Sequence, residues 1–292
     1  MEGLAPIDGW ALAAIIAKAA GYAAALVAMG GPLFLAAFRS APDDVLRLAR
    51  KLAVIAALIG LAVLALRFGI RAARISGMGP SGAIDAMMLS FVWDSPLGTA
   101  AIWRGAGALL IVAILIEGTI GMVASLLGAL LIAMSYAFVG HSLGDPRWIL
   151  AVLVVTHLLA AAFWVGALAP LHRSAANKDG AALLHRFGII ASGTVAVLVV
   201  VGVSFAWLMI GSFSGLFGTA YGWTLIVKIC VVTGLLGLAA KNKLQLVPAL
   251  AANKDDAGGR LRRSIRMEVV AVALILLATA TLTSITTPPV NL

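Results

Sequence analysis

Residues 148–171 read WILAVLVVTHLLAAAFWVGALAPL, with no Asp, Glu, Lys or Arg among the 24 residues. As an α-helix such a run covers about 36 Å, more than the roughly 30 Å hydrocarbon core of a bilayer. It therefore reads as a transmembrane helix. His157 is its one titratable side chain. An imidazole near mid-membrane is costly to keep against lipid, so it is expected to face protein and to mark a functional position. A buried histidine hydrogen-bonded to a neighbouring helix would fit the same residues.

Outward from this stretch the pattern recurs. Apolar runs long enough to cross a bilayer lie at about 10–38, 52–75, 97–116, 119–140, 148–171, 187–211, 222–240 and 269–285. The chain has 292 residues, of which 62% are hydrophobic and 11% charged, well below the roughly 25% charged residues of soluble domains. An all-α polytopic membrane protein of eight transmembrane helices is expected. No signal peptide is expected, because the first seventeen residues carry no Lys or Arg and the first apolar stretch is too long for an h-region. The single cysteine, Cys230, excludes an intramolecular disulfide, and no CxxC or paired Cys/His spacing points to zinc or covalent haem.

The net charge of +9 is not a nucleic-acid signature here, since the basic residues flank apolar spans. Arg39, Arg47, Arg50 and Lys51 form one cluster, and Arg173, Lys178 and Arg186 a second. Lys241, Lys243, Lys254, Arg260, Arg262, Arg263 and Arg266 form the third. These alternate loops should face the cytoplasm, whereas the others hold only Arg71, Arg74 and Arg147, which places both termini outside. Lys18, Arg67, Arg104 and Lys228 fall within spans, where an unpaired charge costs at least about 2.5 kcal/mol at mid-depth. Arg67 can snorkel outward beside Arg71 and Arg74. Arg104 and Lys228 lie deeper and read as gating or ion-pair residues, with Asp85 and Asp94 as candidate counter-ions.

An internal repeat is expected. Gly98 precedes Arg104 as Gly222 precedes Lys228, by six residues, and AAALVAMGGPLFLAAFRSA resembles AAAFWVGALAPLHRSA. Two four-helix halves, 1–140 and 141–292, would then be related by a parallel repeat about the membrane normal. Aligning the alanine runs sets His157 opposite Ala20 or Gly21, so the histidine belongs to the second half alone.

Four histidines occur: His141, His157, His172 and His185. His172 and His185 sit among cytoplasmic cations and read as solvated interface residues. His141 closes the fourth span, and Met134 lies two turns before it on nearly the same face. Counting the helical rise from the loop between spans four and five puts Met134 and His157 at similar depths. Imidazole and thioether suit copper, with methionine sulfur favouring the cuprous state, so His157, His141 and Met134 form a candidate metal ladder. Met78, Met87, Met88 and Met209 add thioethers near the outer face, although methionine more often fills packing gaps. GHSLG at 140–144 follows a transmembrane helix and lacks the strand that a hydrolase elbow needs. GTAYG at 218–222 reads as a loop, not a helix-pairing motif. With no HExxH, P-loop or GxGxxG signature, the chain is not expected to be an enzyme.

Three stretches together carry a family resemblance: THLLAAAFWVGALAPL at 156–171, FGTAYGWTLIVKICVVTGLLGLAAKNKLQLVPAL at 217–250, and RLRRSIRMEVVAVALILLATATLTSITTPP at 260–289. They resemble the copper resistance protein D (CopD) family over about 140–289, and DSPLGTAAIWR extends the likeness into the first half. The resemblance implies a multi-pass protein of the bacterial inner membrane that moves copper from periplasm to cytoplasm, often beside a small periplasmic copper-binding protein. His157, His141 and Lys228 match the family's motifs, while Ala167 stands where the family often has a second glycine. No fused copper-binding domain is expected, so the resemblance implies a separate donor. Besides surrounding lipid, that donor is the expected partner, and copper the expected metal. Two alternatives remain at this point: a membrane b-type cytochrome, which a Soret band would reveal, and a scaffold that delivers copper without transporting it.

Overall fold

The computed structural model describes residues 4, 6–140, 146–177 and 180–291. His141, the outer rung of the expected ladder, and Lys178 lie outside the described residues. Among the described residues eleven α-helices follow in order, α1 Gly9–Ala37, α2 Asp43–Ser76, α3 Ala86–Trp93, α4 Pro96–Val112, α5 Thr119–Ser135, α6 Arg147–Ser174, α7 Ala181–Ile210, α8 Phe213–Gly218, α9 Ala220–Lys241, α10 Val247–Ala251 and α11 Ala257–Leu282. Among the described residues eight helical segments are long and apolar enough to cross a membrane: α1, α2, α4 with its 3₁₀ extension, α5 likewise, α6, α7, α9 continued through α10, and α11. The protein is an all-α polytopic membrane protein.

Local sequence sets the helix ends. Asp8 caps α1 by accepting from the Ala11 amide at 2.6 Å, and Ser95 followed by Pro96 starts α4. Gly77, in the left-handed region at φ 68°, ends α2. Several helices outrun the apolar windows read from sequence, because their charged end turns stay helical in water beyond the bilayer core. The largest difference is α11, which begins at Ala257 rather than near 269 and so carries Glu268 inside a spanning helix.

The α1/α2, α6/α7 and α10/α11 junctions share one end of the bundle. Arg173 at the close of α6 pairs with Asp44 at the start of α2 at 2.8 Å, the one ion pair among the described residues. The Arg186 guanidinium lies 5.7 Å from the ring centroid of Phe38. Both chain termini lie at the opposite end, where Leu4 bridges Thr286 and the Lys18 ammonium donates to the Thr283 carbonyl at 2.5 Å.

Helices α1 and α6 cross on two glycines, in the last third of each helix toward the basic end. A Cβ on Gly30 would stand 2.6 Å from the Gly166 Cα and also meet the Ala162 carbonyl, and one on Gly166 would meet Gly30 in turn. Such backbone approach is how membrane helices associate when lipid supplies no hydrophobic contrast. Around this crossing Met29, Phe34, Phe38, Val45, Ala53, Ala162 and Ala167 are buried. Large apolar side chains such as Leu109, Ile120 and Val200 point outward, as a lipid-facing surface requires.

Candidate functional site

His157 lies ten residues into α6, about 15 Å along the helix from Arg147. Its half-buried ring rests against α7, with Cε1 3.9 Å from where a Cβ on Gly202 would stand. Glycine at 202 leaves room for the imidazole. Lys228 of α9 lies within Coulomb range of the same ring. Helix α9 packs along α11, and its first turns join α6 and α7 through the apolar cluster of Leu150, Met209, Ile210, Tyr221 and Leu225 at the end that carries the termini. Below that cluster the backbones of α6 and α7 stand apart from α9 among the described residues, and this seam, termed the cleft below, has His157 on one side and Lys228 on the other.

The remaining sequence candidates lie on other elements. Met134 is half-buried on α5, whereas the neighbours that place His157 come from α7 and α9. No three His, Cys, Asp or Glu side chains come together as a metal-holding group among the described residues. Met209 packs in an apolar cluster with Leu150, Tyr221 and Leu282, so its thioether is core. Met78 and Met87 are exposed beside and within α3, at the end that carries the termini. Cys230 is exposed on the outside of α9.

Deeper along α6 the structure assembles a polar node that the apolar windows left out. Trp164 lies two turns beyond His157 on the same face, about 10 Å along the helix. Its indole N–H donates at 3.2 Å to Glu268 Oε2, and the Asn242 amide donates at 2.5 Å to Glu268 Oε1. Glu268 is 5% exposed, so these two donors satisfy a carboxylate with little access to water. Asn242 opens a π-helical turn, 242–246, which is the kind of helix irregularity often found at functional sites. Toward the basic end, the Asn242 Oδ1, the Ser264 hydroxyl and His172 Nε2 are buried without hydrogen-bond partners. His172 as a whole is half-buried at the basic end, with its Nε2 alone shielded from water.

This node makes a separable prediction. Glu268→Ala leaves two buried donors without an acceptor, each costing about 1 to 3 kcal/mol, so its thermal midpoint should fall clearly. Glu268→Gln keeps one acceptor, and a rotated Asn242 amide can accept from the new NH₂ group. Its midpoint should stay close to wild type, and an equal fall in both variants would contradict the hydrogen-bond geometry.

In the first half the intramembrane cations converge. Arg104 is 8% exposed; its Nε donates to the Ser135 hydroxyl at 2.8 Å and its guanidinium stacks 4.1 Å from the Tyr136 ring centroid. Its Nη2 is buried with no partner. Asp85 instead caps α3 by accepting from the Met88 amide at 2.9 Å, and neither it nor Asp94 pairs with Arg104. Arg67 turns inward with Arg104 to line a cavity between α1, α2, α4 and α5, rather than rising to the interface.

Two sequence families cover most of the chain. The family described as Copper resistance protein D-like, N-terminal domain, matches residues 7–146, and Copper resistance protein D matches 181–282. No curated protein and no solved structure matches the chain. Between the two matched segments lies α6, the helix that carries His157 and Trp164. Eight membrane-spanning helices and both family matches lead to one conclusion: the chain is a multi-pass inner-membrane protein of the bacterial copper resistance protein D family, and its role is in copper resistance and transport.

Proposed function

We propose that this protein carries copper from the periplasm to the cytoplasm through its second half. The observation that supports this reading most is the alignment on α6 of His157, at the cleft wall, above the buried Trp164–Glu268–Asn242 node. The basic junctions face the cytoplasm under the positive-inside rule, and the termini and α3 face outward. Copper delivered by a periplasmic donor protein meets the exposed thioethers of Met78 and Met87 and the imidazole of His141. It passes His157 in the cleft, with Met134 of α5 as a further soft ligand, and leaves past Glu268 and His172.

Few ligands at each level suit transit, because an ion held by many would not leave. The cations, an objection to any route for copper through the bundle, are unevenly placed. Lys18, Arg67 and Arg104 lie in the first half, away from this route, and Lys228 alone stands across the cleft from His157. On this reading Lys228 raises the barrier to every cation, and one that the His157 imidazole coordinates is the one that passes it.

Reconstitution tests the proposal directly. Proteoliposomes given cuprous ion outside and a trapped chelator inside should accumulate copper with time, and protein-free vesicles should not. Copper that binds the protein without accumulating inside would mark a delivery scaffold and overturn the transport reading.

A further inference from the structure

The cavity in the first half has a different chemistry from the cleft in the second. Its walls are small residues of α1 and α2, including Gly21, Ala24, Ala57 and Gly60, closed by Ala108 of α4 and Ile132 of α5. At one side stand Arg67 and Arg104. Lys18 of α1 lies within Coulomb range of both. The cavity volume is about 30 Å³, more than one water needs.

Two guanidinium groups in one membrane interior repel one another unless something negative stands between them, and no described carboxylate pairs with Arg67 or Arg104. The Nη2 group of Arg104 sharpens this demand: it is buried, charged and a donor, yet unpartnered. A guanidinium nitrogen in that state costs more than a neutral orphan and is normally met by an anionic acceptor. From these features we propose that the cavity is a binding site for a small inorganic anion of halide size, held by Arg104 and Arg67 with Lys18 behind them.

Depth argues for a free ion over a lipid headgroup. Arg104 lies eight residues inside α4 and Arg67 nine residues from the end of α2, about 12 to 14 Å along their helices from those ends. Symmetry around the α1–α6 crossing points to the same spot. Gly30 and Gly166 meet each other, and nine residues before them on their respective helices stand Gly21 and His157. The first half thus leaves empty, beside two arginines, the volume that an imidazole takes in the second. One half would hold an anion and the other a soft cation.

Chloride binding to the full-length protein in an uncharged detergent tests this without reference to copper. Radiolabelled chloride should bind saturably, at about one per chain, and raise the thermal midpoint relative to gluconate at equal ionic strength. Arg104→Gln should weaken binding about tenfold to a hundredfold, the usual loss for a charge-assisted hydrogen bond. Arg67→Gln, at a half-buried position, serves if the Arg104 variant does not fold. The proposal is overturned by an absence of saturable chloride binding to wild type, by unchanged affinity in the folded variants, or by stabilisation from anionic lipid in nanodiscs without any from chloride.

Discussion

His157→Ala should reduce copper uptake into proteoliposomes by at least about 10- to 100-fold, the loss that changes merely around a metal ligand already cause. The variant should fold, because the ring is half-buried and rests against glycine, leaving little void. An alanine there removes the imidazole at the cleft wall and nothing in the α1–α6 crossing. Thermal melting alongside uptake separates the two effects. Uptake that persists at the wild-type rate in a folded His157→Ala protein would remove His157 from the route.

Gly30→Leu should have the largest effect on stability, at least about 3 kcal/mol, and block accumulation of folded protein. The Cβ alone would stand 2.6 Å from the Gly166 Cα, and the opposing atoms are backbone, which cannot rotate away. The bundle would have to part α1 from α6, the two helices about which the buried core is arranged. Gly105→Ala provides the control, since nothing lies within 4 Å of a Cβ there and alanine favours helix. Comparable destabilisation in the two variants, measured by reversible unfolding in mixed detergent, would contradict the α1–α6 crossing.

Span number was legible because charge-free runs of about twenty residues have few other physical solutions. The shared end of the basic junctions was legible for a related reason: an even number of crossings returns Arg39, Arg173 and Arg260 to one side. Side-chain partners were less accessible. Depth counting set Met134 level with His157, but depth alone does not fix the rotation of either helix about its axis. Asp85 was available as a counter-ion by proximity, yet an α3 N-terminus offers it unsatisfied amides at no desolvation cost. Arg104 instead found Ser135 and Tyr136, partners that carry no charge signal in a sequence.

Glu268 was missed for a specific reason. A hydropathy window rejects a carboxylate and starts the span after it, so RLRRSIRME reads as a loop, while α11 runs through it and buries Glu268 against Trp164 and Asn242. A tryptophan two turns from an intramembrane histidine was the available signal, since a buried indole N–H needs an acceptor.

The most direct test of the route is X-ray absorption at the copper edge of purified protein loaded with one equivalent of cuprous ion. Imidazole scattering around the metal, present in wild type and lost in His157→Ala, is the predicted result. An identical copper environment in the two proteins would show that the ion never reaches the cleft wall.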